Sequence, residues 1–309
     1  MGDRLKDRVA IVTGAGRGIG RGEALLLAQE GATVIVNDFG GTSAGEGGEK
    51  APADQVVDEI KTAGGQAAAN YDNIALFASG EKLVQQAVDT FGRLDIVVNN
   101  AGILRDRMVF NMSEEEWDAV LAVHLKGHFN VARHACVVFR QQRSGVIVNT
   151  SSESGLGNMG QANYAAAKEG IVGLTRTLAR DMGRYGVRCN AIRPRAATRL
   201  VISDEMREAA ARGGAAGMTP ETLEAFEKAN PPEAVAPLVV WLCTDEAANV
   251  NGRTFLIAGN QIGLYSEPEV VIDIRSDQPW DMDTLSKVMP EKVTKDLVNQ
   301  FAPKEEAKA

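Results

Sequence analysis

Tyr164 and Lys168 stand four residues apart in the run Tyr164-Ala165-Ala166-Ala167-Lys168. On a helix this spacing puts both side chains on one face, about 5–6 Å apart at Cβ. An ammonium beside a phenol favours the phenolate and draws its pKa below the usual ~10. A tyrosine so placed can give or take a proton near neutral pH. Upstream, Ser151-Ser152 follows the apolar run Val146-Ile147-Val148. A hydroxyl there can hold a substrate oxygen or cap a turn. Near the N-terminus, Gly14-Ala15-Gly16-Arg17-Gly18-Ile19-Gly20 lets the backbone turn sharply and lets a pyrophosphate approach its amides. Asp38 ends the next apolar run. A carboxylate there accepts hydrogen bonds from both hydroxyls of an adenosine ribose and repels a 2′-phosphate, which points to NAD over NADP. Arg17 points the other way, since a guanidinium can meet a 2′-phosphate.

Elements must hold these residues in place. Residues 9–12 read as a buried strand, 19–29 as a helix stopped by Gly31, and 33–37 as a β-branched strand. Strand, glycine loop, helix and strand make a βαβ unit and imply a parallel sheet. The alternation continues with helices over 56–63 and 82–91 and strands over 67–71 and 96–98. Ser113 opens a long helix, with Glu116 placed to complete a capping box. Strands over 146–148, 187–192 and 255–257 and a helix over 164–181 complete the pattern. The fold expected is α/β, a Rossmann-type doubly wound parallel sheet of seven strands. Residues 39–53 are glycine-rich and read as a long surface loop. Residues 265–309 contain Pro268, Pro279, Pro290 and Pro303 and are too proline-broken for a core of their own. The division expected is one domain over 1–264 and a C-terminal extension over 265–309. That extension is expected to pack on the main domain or on a neighbouring subunit and to end in a frayed tail over 304–308.

The 309 residues are 44% apolar and 24% charged, ordinary values for a folded chain. The net charge of −8 opposes a phosphate backbone, so no nucleic-acid partner is expected. Cys136, Cys189 and Cys243 are scattered, with no CxxC pair, which suits a reducing cytoplasm. No apolar run reaches the ~20 residues of a membrane span, and residues 1–8 lack the apolar core of a signal peptide. His124 and His128 have a ligand-like i, i+4 spacing but no third ligand is evident, so no metal is expected.

Thr13-Gly14-x3-Gly18-x-Gly20, Asn99-Asn100-Ala101-Gly102, Ser152 and Tyr164-x3-Lys168 occur in a single order. Together they resemble the short-chain dehydrogenase/reductases over about residues 5 to 263. Within that family, Val36-Asn37-Asp38-Phe39-Gly40-Gly41, Gly102-Ile103-Leu104-Arg105-Asp106-Arg107, Val123-His124-Leu125 and Gly160-Gln161-Ala162-Asn163-Tyr164 look like the (3R)-hydroxyacyl-CoA dehydrogenases. The resemblance implies an NAD-dependent oxidoreductase interconverting a (3R)-3-hydroxyacyl-CoA and its 3-oxoacyl-CoA. A hydroxysteroid or another bulky alcohol is the alternative substrate. A catalytically inactive nucleotide-binding scaffold is the alternative class, and the intact Ser152, Tyr164 and Lys168 weigh against it.

The resemblance also assigns roles. Tyr164 is the acid–base, Lys168 lowers its pKa and holds the nicotinamide ribose, and Ser152 orients the carbonyl. His124 stands where the family often has asparagine, and its backbone carbonyl would hold a relay water. Gly14, Arg17, Gly18, Ile19, Gly20, Asp38, Asp72, Asn73, Asn100, Ala101, Gly102 and Thr198 join Tyr164 and Lys168 in holding NAD, with Asp72 at the adenine. Asn99 supports the central strands. Arg195 replaces the glycine usual after Pro194. The serine-to-tyrosine spacing is one residue short for Ser152, and Ser151 restores it, but Ser152-x2-Gly155 matches the strand-end pattern. Residues 196–218 are expected to form a mobile lid with Leu200, Val201, Ile202 and Met206 over an acyl chain and Gly213, Gly214 and Gly217 as hinges. A homodimer or homotetramer is implied by the resemblance.

Overall fold

The computed structural model describes residues 2–48, 50–202, 204–211 and 219–301. The hinge glycines Gly213, Gly214 and Gly217 and the 304–308 tail lie outside them. Two compact units divide at Tyr265 and Ser266.

The first unit begins with β1 (Val9–Thr13), α1 (Gly18–Gln29), β2 (Thr33–Asn37), α2 (Ala51–Thr62), β3 (Gln66–Asn70), α3 (Phe77–Phe91) and β4 (Ile96–Asn99). It continues with α4 (Glu114–Leu121), α5 (Gly127–Gln142), β5 (Gly145–Thr150), α6 (Ala162–Gly183) and β6 (Val187–Arg195). Three helices, α7 (Asp204–Ala211), α8 (Pro220–Ala229) and α9 (Ala236–Cys243), precede β7 (Thr254–Ala258) and β8 (Gln261–Leu264). The sheet runs β3-β2-β1-β4-β5-β6-β7-β8, parallel except for β8, which pairs antiparallel with β7. The expected count of seven strands is therefore corrected to eight. Gln261-Ile262-Gly263-Leu264 is a short edge strand, mostly exposed, and carries none of the buried apolar run that betrays a central strand.

Helices cover both faces of the sheet, and successive strand residues divide between two cores. Ala10 and Val12 pack with Val34, Val36 and the α1 and α9 side chains. Val9 and Ile11 pack on the other side with Ile35, Val97, Ile147 and residues of α3 and α5. Ser113 accepts from the Glu116 amide and Glu116 accepts from the Ser113 amide, so the capping box forms as expected. Between α4 and α5 the helix widens into a π-helical turn at Ala122–Lys126, which contains His124. Such turns displace one residue from the regular ladder and recur at functional sites.

In the second unit, α10 (Met282–Val288) starts where the Asp281 carboxylate accepts from the Thr284 amide at 2.8 Å.

Candidate active site

The strand order turns about between β1 and β4. A cleft of about 930 Å³ opens there at the carboxyl ends of the strands. Gly14 has φ +64°, and a Cβ on it would lie 2.7 Å from the Ala101 Cα. Gly18 has φ +57°, and a Cβ there would meet nothing nearer than Thr198 Cγ2 at 3.8 Å. No side chain caps α1 after Arg17, so its first amides are free for an anion. Ile19 also lines the cleft, while a Cβ on Gly20 would overlap Asn100 Nδ2. The Asn100 amide donates to the Thr13 and Gly14 carbonyls at 3.0 and 3.1 Å, so it braces the glycine loop from behind. Ala101 and Gly102 continue that wall. Asn99 is buried and donates to Asn149 at 2.9 Å between the central strands.

At one end, the Asp38 carboxylate accepts from the Gly16 amide at 2.8 Å and the Gly40 amide at 2.7 Å. Asp72 and Asn73 lie beside it on the cleft wall, and Asp72 is held by Asn70 at 2.9 Å. Arg199, which the sequence reading passed over, donates to the Gly41 carbonyl at 3.1 Å. Burial pushes its guanidinium down and the Arg17 charge adds to this, while Asp38 opposes it. The stretch expected as a surface loop is also a wall of the cleft. Leu104 N–H donates to Ser43 at 3.0 Å and Arg105 Nε to Ala44 at 3.1 Å, pinning it over the β4 end.

At the other end, Ser152, Tyr164, Lys168 and His124 come together. Ser151 turns inward and donates to the Lys168 carbonyl at 2.7 Å. Ser152 instead sits by the Tyr164 phenol, and its hydrogen bond draws the phenol's pKa down. Burial outweighs that bond and pushes Tyr164 up to about 12, with Asp106 adding to the rise. Lys168 Nζ lies 5.4 Å from the Tyr164 ring centre and donates to the Thr150 carbonyl at 2.6 Å. Burial pushes the lysine down to about 7. The expected lowering of the tyrosine is thus absent here. The phenol is out of water, and the cost of burying its phenolate outweighs the Ser152 hydrogen bond. His124 is buried edge-on to the Tyr164 ring, with ring centres 5.1 Å apart. Its Nε2 lies 2.8 Å from the Ile103 carbonyl oxygen, and burial, then Lys168, push its pKa well down. A Cβ on Gly102 would overlap the His124 ring.

Asp106 and Gln161 also line this end, with Gln161 Nε2 donating to Asp106 at 2.6 Å. Both fall inside motifs quoted above, but spacing alone gave no sign that they meet. Arg195 does not line the cleft; it pairs with Glu153 at 2.8 Å. Among the described residues no group of three or more His, Cys, Asp or Glu is arranged to hold a metal, and no helix is long and apolar enough to cross a membrane.

The glycine loop, the free helix amides and the Asp38 and Asp72 carboxylates at the far wall fit a nicotinamide dinucleotide. A family model described as short chain dehydrogenase matches residues 8–208. Over 261 residues the chain is 48% identical to peroxisomal multifunctional enzyme type 2 of Mus musculus, covering 84% of this chain and 33% of that protein. Over 299 residues it is 44% identical to hydroxyacyl-CoA dehydrogenase ChsB1 of Mycobacterium tuberculosis, covering 92% and 88%. A crystal structure of a short chain dehydrogenase from Mycobacterium avium matches with a TM-score of 0.79 and 44% identity, covering 94% of this chain and 96% of that one. The chain spans about a third of the mouse relative and most of the two mycobacterial ones. With its cleft, its Ser152–Tyr164–Lys168 cluster and these relatives, the chain belongs to the short-chain dehydrogenase family and is an oxidoreductase acting on a CH–OH group.

Proposed function

We propose that the protein interconverts a (3R)-3-hydroxyacyl-CoA and its 3-oxoacyl-CoA with NAD. The observation that carries this reading is one cleft joining Asp38 at one end to Ser152, Tyr164 and Lys168 at the other. The name of the tuberculosis relative, a hydroxyacyl-CoA dehydrogenase, supports the hydroxyacyl-CoA class. Asp38 supports NAD, because its carboxylate would face a 2′-phosphate dianion.

Bound nicotinamide would supply or take the hydride. Gly14, Gly18 and the α1 amides would hold the pyrophosphate, Asp38 the adenosine ribose, and Asp72 with Asn73 the adenine side. Ser152 Oγ orients the substrate oxygen. Tyr164 gives a proton to that oxygen as the ketone is reduced, and a phenol held near 12 is fully protonated for the task. In the reverse direction Tyr164 takes the alcohol proton, and Lys168 as ammonium stabilises the phenolate that receives it. The unpaired thiols of Cys136, Cys189 and Cys243 support a cytoplasmic setting. A homodimer or homotetramer follows from the family resemblance.

The test follows NADH absorbance with (3R)- and (3S)-3-hydroxyacyl-CoA, with a hydroxysteroid, and with NADP in place of NAD. Turnover confined to the 3R acyl-CoA and NAD is the expected result. Faster turnover of the hydroxysteroid, or no turnover of any alcohol despite cofactor binding, overturns it.

A further inference from the structure

Ser152 is held through its backbone as well as through its hydroxyl. Its Oγ accepts from the Ser154 amide at 3.1 Å, which opens a short 3₁₀ turn over Glu153–Leu156. Its carbonyl accepts from the Gly155 amide at 3.1 Å and from Arg193 Nη1 at 3.2 Å. Arg193 lies on β6 and is only 3% exposed. Its other terminal nitrogen, Nη2, donates at 2.7 Å to Glu169, the residue after Lys168 on α6. The guanidinium lies over the Tyr265 ring, 4.9 Å from its centre. The edge strand β8 delivers that ring, since it returns antiparallel along β7 and the Tyr265 amide donates to the Thr254 carbonyl at 3.0 Å. Two residues along β6, Arg195 grips one oxygen of Glu153 with Nε at 3.0 Å and Nη2 at 2.8 Å. The Tyr265 hydroxyl donates to the other oxygen of that carboxylate at 3.4 Å. A buried guanidinium is costly to desolvate, and an apolar residue of like volume serves packing alone at lower cost.

We propose that Arg193 is a positioning residue for Ser152: it fixes the Ser152 peptide so that the hydroxyl meets the substrate oxygen beside Tyr164, while Glu169 and Tyr265 fix the guanidinium in turn. The inference rests on the reading of Ser152 as the residue that orients that oxygen. The hydroxyl chooses among staggered rotamers, but the backbone sets where Cβ stands and so where Oγ can reach. Arg193 takes the play out of that backbone. Its fork is planar and rigid, so anchoring one nitrogen on Glu169 determines where the other points. The Tyr265 face attracts the cation and holds the plane of the fork. Arg195 and Glu153 form a second clasp one residue further along the chain, on the more exposed side. Arg193 thus acts from inside on the serine's own carbonyl, and Arg195 acts from outside on the side chain that follows it. This accounts for an arginine after Pro194 that does not line the cleft.

The test is a double-mutant cycle of Arg193→Met with Ser152→Ala, read as kcat and KM on whichever of the alcohols named above the unmutated protein oxidises fastest. Arg193→Lys, which keeps the charge and loses the fork, goes through the same cycle should the methionine variant not fold. Arg193→Met should lower kcat about 10–100-fold, the scale of a reacting group displaced by up to ~1 Å, while the KM for NAD holds. With Ser152→Ala already in place, the same substitution should change kcat by less than about twofold, because the hydroxyl it positions is gone. Hydrogen exchange over residues 152–157 should be faster in the Arg193 variant without any ligand. An equal loss of kcat in both backgrounds, as general damage to the fold would give, overturns the proposal. So does a kcat that stays put in a folded Arg193 variant, or unchanged exchange over 152–157. Full turnover by Ser152→Ala overturns the reading of Ser152 and the proposal with it. A non-additive cycle on the hydroxysteroid, with no turnover of the hydroxyacyl-CoA, upholds the positioning role and overturns the proposed substrate instead. In a protein that oxidises none of these alcohols the proposed function falls, and exchange over 152–157 alone decides whether Arg193 holds the Ser152 peptide.

Discussion

Removing one oxygen from Tyr164 should separate binding from chemistry. Tyr164→Phe keeps the ring that packs edge-on to His124 and loses only the hydroxyl beside Ser152. Turnover should fall by about 10²–10⁴-fold, the usual weight of general acid–base catalysis. NADH binding, followed by its fluorescence, should be almost unchanged; a variant retaining most of its turnover would remove Tyr164 from the acid–base role. Asp38→Ala should narrow the preference for NAD over NADP, since the carboxylate that repels a 2′-phosphate is gone and Arg17 and Arg199 remain in that corner. Equal kcat/KM with both cofactors in the unmutated protein would defeat the reading of Asp38. The meeting of these residues in one cleft was legible because their types and spacing carry their chemistry. The direction of the Tyr164 shift was not. Helical spacing brings Lys168 close, but how far both groups leave water depends on the packing of the α4–α5 helix over α6. The choice between Ser151 and Ser152 stayed open for a similar reason, since it depends on which hydroxyl turns toward the Lys168 carbonyl.

At the scale of elements, the apolar runs located the central parallel strands because β1, β2, β4, β5 and β6 are buried on both faces. The same reasoning missed α9, since Pro-Leu-Val-Val-Trp-Leu-Cys is apolar all round and its period is silent. It also could not show that residues 39–48 fold back over the cleft, because the bonds from Leu104 and Arg105 join segments distant in sequence. The stretch after β6 has a like character. Ala196, Ala197, Leu200, Val201 and Met206 all line the cleft, and Arg199 reaches across to Gly41. Apolar side chains on a segment leaving the carboxyl edge of the sheet can close over an acyl chain. Formation of a ternary complex with NADH and an acyl-CoA should therefore slow hydrogen exchange over 196–211 relative to NADH alone. Equal exchange in the two states would show that this segment is a fixed wall and no lid.

For the molecule as a whole, Glu23 sets a pH dependence of stability. It lies on α1 inside the core shared with α9, fully buried, and neither carboxyl oxygen has a hydrogen-bond partner. Burial raises its pKa from 4.5 to about 8. The folded protein therefore keeps a proton on Glu23 at pH values where the unfolded chain has already released it. Stability falls as pH rises from about 4.5 to about 8, and this contribution is constant beyond that range. At pH 7 the linkage amounts to roughly 3 kcal/mol, an upper figure because a buried site relaxes when it ionises. His128 acts in the opposite sense. Its folded pKa of about 3 lies below the 6.5 of a free imidazole, so its contribution is complete above pH 6.5 and is lost as pH falls toward 3. Glu23→Gln isolates the first effect, since a neutral amide resembles the protonated acid and cannot ionise. Thermal unfolding of both proteins at pH 5, 6.5 and 8 should show a stabilisation by the glutamine that is small at pH 5 and grows steadily toward pH 8. A melting-temperature difference that stays constant over that span would mean that Glu23 is ionised in the folded protein and that its burial is relieved by a partner.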